Sequence, residues 1–544
     1  MISINTYKNW LYITTTFVVA FCSIIYELIF AQALTVVFGS TVMQYSLTIG
    51  IFMFFLGVGS FFVDHFLQNK DILHNTKAFV SVELSITASA ILGLYMIIAI
   101  SSVLEYGSWT SYFWQAIGFL PVATIGFLSG AELPIMTNLY GNNKFAQVLG
   151  IDYFGSLLGT VLYALLIFPS LGLFGTTVIV SALNAFVAVA FLYIFFPNRK
   201  IYITIFTAIL FFFLTFYLTA MDRINKHLEA IYLGKVIENV YDEYGIKNTK
   251  VIVTDVLNTP YQTATEYDIY FNFDSDTGYY TNKDHCLNLD RHLQACGDWT
   301  ESYHHGLVDV PLSMLSKKKK LNILILGGGD FIPAHYLTHY DKQIAHIEIV
   351  DIDKTFQNFA KRSKFLRKYN QEAYNYGKLH VTVEDALTFL KRNHKKYDLV
   401  LWDLPGLKHE KLLPLYSTEF YTLMRRAMNK KGIAVSWYYP SDMYPEHAGI
   451  LQSTLHASGF KKRFDYVAYN RLPNGAVQET EQFFILSKDA TPEMDFASSS
   501  YVKEFKDRFK KSRWHNISSS AYRPNSIFRP NYGMIITYPK VKHI

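Results

Sequence analysis

Seven apolar stretches follow one another within the first 221 residues, near 10–36, 43–66, 78–101, 112–140, 146–169, 173–196 and 201–220. Each meets the roughly 20 residues that a helix needs to cross a bilayer. No other feature narrows the fold as much, and it predicts a seven-helix transmembrane domain over 1–221. The first stretch is longer than a signal-peptide core and is followed by more spans, so it is expected to stay as a helix. Turn residues punctuate the series at Gly39-Ser40, Gly107-Ser108, Gly141-Asn142-Asn143 and Pro197-Asn198. The rest of the 544-residue chain reads as soluble α/β sequence. A net charge of +6, scattered along a chain that is 51% apolar, excludes a disordered protein and argues against nucleic acid as a partner. Cys22, Cys286 and Cys296 show no paired metal spacing, so neither a disulfide framework nor a zinc module is expected.

Lys8, Lys70, Lys77, Lys144, Arg199 and Lys200 fall on the side of the N-terminus, and the opposite short loops carry no Lys or Arg. The positive-inside rule then puts the N-terminus in the cytoplasm and, after seven crossings, the C-terminal half outside. Five carboxylates, Glu27, Asp64, Glu83, Glu132 and Asp152, lie within or at the edges of the spans. An acid in hydrocarbon is costly and marks a functional position, such as a grip on a cation, unless it nears the interface, pairs with Tyr or Ser, or is protonated. Asp64 and Glu83 stand close to loop ends, which leaves Glu27, Glu132 and Asp152 as the better candidates. Gly126, Ser129, Gly130, Gly155, Ser156 and Gly159 beside them suit close helix packing.

Beyond residue 221 the expected order is a linker helix 222–248, a β-rich subdomain 249–317, a Rossmann-like domain 318–490 and a basic, aromatic extension 491–544. Strand patterns at Leu321–Leu326, His346–Asp353, Leu379–Asp385 and Tyr397–Asp403 alternate with helical stretches, as in a doubly wound parallel sheet of the methyltransferase type. Acids at the ends of successive strands line the crevice where such sheets bind ligands. The Lys317–Lys320 run is a solvated linker face rather than a lipid or nucleic-acid patch.

Gly327-Gly328-Gly329 lets the backbone pass close to a ligand with no Cβ in the way. Asp351, about 20 residues on, is placed to accept from ribose hydroxyls. Asp385 either accepts from an adenine amino group or caps the helix starting at Ala386. Together these favour an adenosyl ligand, and the absence of a Walker pattern speaks against a nucleoside triphosphate. Asp403 ends the fourth strand, where a carboxylate can hold a cationic amine and take its proton during attack on an alkyl–sulfonium carbon. An alkylammonium has a pKa of about 10 and must lose that proton before it attacks. His304 and His305 are sequence neighbours and rarely could point at one ion, so no metal is expected. Tyr438-Tyr439 either wall an amine pocket by cation–π contact or pack the core.

Thr259-Pro260-Tyr261-Gln262, Leu287-Asn288-Leu289-Asp290 with Gln294, Tyr303-His304, the Gly327–Asp330 turn, Asp351, Glu384-Asp385, Asp403 and Leu415–Tyr421 form an ordered series. With it, residues 250–490 resemble the spermidine synthases (polyamine aminopropyltransferases). Through Tyr26-Glu27, Gly39-Ser40, Gly130–Pro134 and Asp152-Tyr153 with Gly155, the first half resembles the multi-span domain fused to such enzymes in bacteria. The resemblance implies a membrane-bound enzyme of the bacterial inner membrane, without a prosthetic group. Its co-substrate would be decarboxylated S-adenosylmethionine, whose aminopropyl group passes to an amine such as putrescine, forming spermidine or a related polyamine and releasing methylthioadenosine. Asp403 and Tyr303 would be catalytic; Gln262, Gly327, Gly328, Gly329, Asp330, Asp351, Glu384 and Asp385 would hold the donor; Gln294, His304 and Tyr416 would meet the acceptor. An aspartate at 330 attracts the donor's terminal ammonium and repels the carboxylate of ordinary S-adenosylmethionine. A small-molecule amine and the lipid bilayer are the implied partners, and a homo-oligomer is left open. A cytosolic donor argues for a cytoplasmic catalytic domain, against the loop charges.

The sequence also departs from that pattern. Phe331-Ile332 follow Asp330 where two more glycines are usual, and Leu404-Pro405-Gly406 follow Asp403 where a second aspartate binds the acceptor. Trp299-Thr300 replace an Asp-Glu pair, with Asp298 and Glu301 displaced to either side, and His305 replaces an acid. The donor side is better preserved than the acceptor side. Two rivals follow: a transporter or sensor that binds an adenosyl compound or polyamine without turnover, and a methyltransferase using ordinary S-adenosylmethionine.

Overall fold

The computed structural model describes residues 4–536 apart from 39–40, 68–70, 101–109, 197–199, 244–248, 274–279, 291, 298, 408–409, 473–474 and 489. The Gly39-Ser40, Gly107-Ser108 and Pro197-Asn198 turns, with Lys70, Arg199 and Asp298, lie outside those residues. Two compact units divide the chain: Met1–Pro260 with Phe271–Phe273, and Tyr261–Tyr270 with Asp274–Ile544.

The first unit is a set of helices, α1 (Ile4–Phe38), α2 (Thr41–Leu67), α3 (Ile72–Ile100), α4 (Thr110–Gly118), α5 (Leu120–Tyr140), α6 (Phe145–Leu162), α7 (Phe168–Phe195) and α8 (Lys200–Glu243), ending in strand β1 (Lys250–Asn258). Among the described residues five helical runs, not seven, are long and apolar enough to cross a membrane. One of them, Phe145–Phe195, joins two of the expected stretches in 51 residues. At 1.5 Å per residue that far exceeds a hydrocarbon core of about 30 Å, and the run turns a corner at Gly172, whose φ is 64°. The seventh stretch is the start of α8, which continues through the expected linker as one helix of 44 residues. Close packing follows from the small residues: a Cβ on Gly130 would lie 2.0 Å from the Leu56 carbonyl of α2, and one on Gly155 2.4 Å from the Phe17 carbonyl of α1. Glu83, expected near a loop end, is instead well inside α3 and fully buried.

The second unit begins with the larger part of β2 (Thr263–Phe273), followed by β3 (Tyr280–Leu289) and β4 (His292–Cys296), hydrogen-bonded in that order. The β3–β4 register sets Cys286 opposite Cys296, and a disulfide joins them. The sequence expectation missed this bridge because the pairing arises from hairpin register, which a spacing rule for metal ligands does not see. Helices α9 (Trp299–His304) and α10 (Val310–Met314) follow.

Then come β5 (Leu321–Gly327), α11 (Ile332–Thr338), β6 (Ile344–Asp351), α12 (Lys354–Ala360), α13 (Lys364–Asn370), β7 (Leu379–Val383), α14 (Ala386–Arg392) and β8 (Tyr397–Asp403). They are followed by α15 (Thr418–Ala427), β9 (Met428–Trp437), α16 (Pro445–Ala457), β10 (Lys462–Arg471), β11 (Val477–Ser487) and β12 (Trp514–Asn516). One eight-stranded sheet runs β12-β10-β11-β9-β8-β5-β6-β7. The five strands from β9 to β7 are parallel, which suits runs such as Leu321–Leu326 that are buried along their length. β11, β10 and β12 extend the sheet antiparallel. Core side chains from Trp402, Tyr416, Phe420, Tyr421, Leu451 and Phe484 pack on one face.

Lys318, read from sequence as a solvated linker residue, instead pairs with the buried Asp398 at the foot of β8. The C-terminal extension, whose role the sequence left open, packs on the second unit: Trp514–Asn516 add the edge strand, and Asn525, fully buried, donates to the Leu413 and Tyr416 carbonyls at 2.9 and 3.0 Å. Further along, the Ile536 amide donates to Leu407 O at 2.8 Å.

Candidate active site

Parallel register brings the site together: Gly327 of β5 pairs with Asp403 of β8, and β6 beside β5 ends at Asp351. The chain leaves β5 through Gly327 with φ 87°, where a Cβ would lie 2.0 Å from the Asp403 carbonyl. Only glycine fits that turn without displacing backbone. Two residues on, the Asp351 carboxyl sits against Gly329, 2.9 Å from where its Cβ would be, and accepts from the Asp353 amide at 2.8 Å. Asp330 follows, its Oδ1 accepting from the Ile332 amide at 2.9 Å and its carbonyl accepting from Asn370 Nδ2 at 2.9 Å. Phe331 adopts a left-handed conformation with φ 65°, which costs a non-glycine residue about 1 kcal/mol. Its ring is fully buried against Tyr374, 5.6 Å between centroids.

The Tyr303 hydroxyl of α9 donates to Asp403 Oδ1 at 2.8 Å. Burial and the neighbouring Asp403 charge push the phenol far up, so Tyr303 stays a donor. His304, buried, has Nδ1 2.6 Å from the Thr300 carbonyl. A carbonyl only accepts, so Nδ1 carries the proton and Nε2 keeps a lone pair; burial lowers the imidazole to about 3, which holds it neutral. One ligand atom each from His304, Asp330 and Asp403 lie within 4.8 Å of one another, a grouping with room for one cation. His305 does not share it: its Nδ1 meets Asp309 at 2.6 Å and its ring stacks on Tyr501.

Electrostatics follow from burial. Asp330 is pushed up to about 8 by burial and then by the charges of Asp403 and Asp351. Asp403 rises to about 6 through burial, partly offset by the Tyr303 hydrogen bond, and Asp351 is raised for the same first reason. A fourth acid was not anticipated from the sequence. Glu481 of β11 accepts from Trp299 Nε1 at 3.1 Å, and burial raises it to about 7. Trp299 packs on Tyr303 at 6.0 Å, and Tyr303 feels the Glu481 charge, so Glu481 lies one aromatic ring away from Asp403. The available signal was an acid entering the apolar run Phe483–Leu486, one residue from a strand buried to its end. Among the described residues no salt bridge reaches Asp330, Asp351, Asp403 or Glu481.

The other expected residues are placed as follows. Gln262 Nε2 donates to Asp353 Oδ2 at 3.4 Å, beside the Asp351 strand end. Asp385 accepts from the Thr388 amide at 2.8 Å and caps α14. Glu384 is paired two ways with Arg392 at 2.9 and 3.0 Å, which holds its carboxyl below the usual range. Tyr416 turns its hydroxyl to the Pro405 carbonyl at 2.8 Å and so fixes the loop after Asp403. Gln294 lies on β4, away from the strand-end turn in sequence. Tyr438 takes Arg463 on its ring face at 4.5 Å, and Tyr439 packs on Trp437 at 5.0 Å.

Residues 300–491 match the spermine/spermidine synthase domain. The chain is 29% identical over 427 residues to polyamine aminopropyltransferase 2 of Aquifex aeolicus (strain VF5), covering 77% of both chains. It is 28% identical over 421 residues to the polyamine aminopropyltransferase of Oceanobacillus iheyensis, covering 76% of this chain and 75% of that one. Both alignments are longer than the second unit, so the likeness runs into the helical unit. Among solved structures, the spermidine synthase from Thermotoga maritima aligns over 49% of this chain and 80% of its own, with 15% identity and a TM-score of 0.34. The ordered motifs, the domain match and the length of these alignments agree: the chain is a transferase, and what it is similar to over most of its length is the spermidine synthases (polyamine aminopropyltransferases).

Proposed function

We propose that the chain is a membrane-anchored aminopropyltransferase that moves the aminopropyl group of decarboxylated S-adenosylmethionine to a diamine of the putrescine kind. One observation carries this reading: Asp330, Asp351 and Asp403 gather at the strand ends, Glu481 stands one aromatic ring away, and no salt bridge reaches any of the four among the described residues. Buried carboxyls without a counter-charge are costly, and a site built this way is completed by cationic ligands. The donor brings a sulfonium and a terminal ammonium, and the acceptor brings ammonium groups.

Asp351 would take the ribose hydroxyls and Asp330 the donor's ammonium. The same Asp330 would repel the carboxylate of ordinary S-adenosylmethionine, which counts against methyl transfer. The acceptor nitrogen attacks the propyl carbon bonded to sulfur; the C–N bond forms, the C–S pair leaves on sulfur as methylthioadenosine, and the proton passes to Asp403. A carboxyl near 6 rather than near 4 narrows its gap to an alkylammonium near 10, which eases that transfer. Tyr303 holds Asp403 in place, and His304 Nε2 can accept a hydrogen bond from an ammonium. Glu481 would hold the distal ammonium of the acceptor, in place of the aspartate missing after Asp403. The helical unit would anchor the enzyme in the cell membrane; the origin of the donor favours a cytoplasmic catalytic unit, whereas the loop charges and the Cys286–Cys296 bridge favour the opposite side.

The test is incubation of the detergent-purified full chain with decarboxylated S-adenosylmethionine and a panel of amines, with methylthioadenosine read by mass spectrometry. Its release with a diamine supports the reading. Binding of the donor with no release from any amine would leave a sensor or transporter in its place. Protease protection in sealed vesicles reads the side: cleavage near residue 300 from the outside would reverse the orientation.

A further inference from the structure

Contacts between helices fix which residues stand at the same height in the first unit. Asn138 of α5 reaches Asn75 of α3 at 3.5 Å, and Gly93 of α3 packs on Pro121 of α5. These helices therefore run antiparallel, and Glu83 falls level with residues 129–132. On the other side, Phe79 packs on Phe191 of α7 at 4.6 Å, and the Thr87 hydroxyl donates to the Ser181 carbonyl at 3.3 Å. That register sets Glu83 level with residues 184–188 of α7. Three helices thus deliver Glu83, Ser129, Glu132 and Asn184 to one height, with exposures of 0%, 6%, 7% and 1%.

Among the described residues, neither carboxyl oxygen of Glu83 has a hydrogen-bond partner, and nor do Ser129 Oγ and Asn184 Oδ1. Buried polar atoms are almost always paired, so four orphaned oxygens at one level call for an explanation. Among the described residues, the titratable groups facing the two glutamates are Cys22 and Tyr26 of α1 and Asp152 of α6. None is a cation, and Tyr26 turns its hydroxyl to Ser181 Oγ at 3.2 Å. Two neighbouring carboxyls in an apolar interior cannot both ionise without positive charge between them. Carboxylate, amide and hydroxyl oxygens are the ligand set of a hard cation or an ammonium.

We propose that this level of the helical unit is a binding site for one desolvated monovalent cation, an alkali-metal ion or an alkylammonium, held by Glu83, Glu132, Asn184 and Ser129. When empty, the glutamates carry protons. The cation enters as one carboxyl O–H releases its proton to solvent, so the charge of the site is unchanged. The site lies in a different unit from the catalytic crevice and stands whether or not the chain transfers aminopropyl groups.

The full chain in detergent, weakly buffered near pH 7, is titrated separately with NaCl, KCl, putrescine and spermidine while released protons and heat are followed. The expected result is about one proton released per chain by either the alkali-metal or the amine arm, which names the source. Glu83→Gln abolishes that release, and Asn184→Ala weakens binding about tenfold, the loss of one ligand oxygen. Amine binding at the catalytic crevice appears as a second component that Glu83→Gln leaves unchanged. Equal proton release and heat in wild type and Glu83→Gln for all four cations, or no release with any of them, overturns the proposal. Should Glu83→Gln fail to fold, Asn184→Ala decides in the same way.

Discussion

Two groups of buried acids lie in different units of this molecule, and their surroundings differ. At the sheet ends, Asp330, Asp351 and Asp403 are steadied by backbone amides and the Tyr303 hydroxyl, which keep ionised carboxylates within reach of neutral pH. In the helical unit, Glu83 has neither amide nor hydroxyl to lean on among the described residues. A loop after a strand frees N–H groups to aim at a carboxylate, whereas a helix consumes its own amides internally. The first group is therefore raised by burial yet kept within reach of ionisation by its donors, whereas the second has no such donors among the described residues.

The largest effect expected is at Asp403. Asp403→Asn should lower methylthioadenosine release by about a thousandfold or more, the range of general-base removal, with the melting temperature kept. A loss under tenfold would remove Asp403 from the chemistry. Glu481→Gln should raise KM for a diamine about tenfold while leaving kcat nearly unchanged and sparing a monoamine acceptor; an equal loss for both amines would make Glu481 a packing residue. Tyr303→Phe should lower kcat several-fold to tenfold. It also removes the hydrogen bond that lowers Asp403, so the acid limb of the kcat/KM profile should move to higher pH from about 6; an unmoved limb would unlink the two groups.

Stability sharpens the contrast further. Asp330 and Glu481, raised to about 8 and 7, favour the protonated folded state, so their contribution is present at low pH and is lost as pH rises toward 8. Buried neutral His304 acts oppositely, but only below its unfolded value near 6.5. Between pH 6.5 and 8 the second unit should therefore lose a few degrees of melting temperature, and Asp330→Asn should flatten that slope; a flat wild-type profile would mean the acids are already compensated. Least of all, Glu83→Gln should change aminopropyl transfer by under twofold, since it lies in the other unit.

Much of this was legible beforehand, and particular residues say why. The glycine turn, Asp351 and Asp403 were readable because parallel strands carry their functional groups at one end, so local pattern implies spatial proximity. Glu481 was not, since β11 joins the sheet antiparallel far along the chain and its neighbour Trp299 lies 182 residues earlier. The replacements at Trp299 and His305 looked like losses; each instead makes a new contact, with Glu481 and with Asp309. Glu83 was misjudged because distance from a loop in sequence is a poor guide to depth when helices differ in length. Asp385 kept both readings open until the capping bond to Thr388 supplied one of them.

The buried Asn525 clamp has a consequence for how the enzyme comes into being. The carbonyls it holds, on Leu413 and Tyr416, belong to the segment that steadies the loop after Asp403, yet Asn525 is made more than a hundred residues later. On a ribosome adding about 5–20 residues per second, the sheet and its glycine turn emerge first and wait several seconds for their last fastening. A nascent chain stalled before residue 525 should carry the glycine turn without a settled loop after Asp403, so assembly runs from the strand ends to that loop, the same order in which the sequence pattern fades.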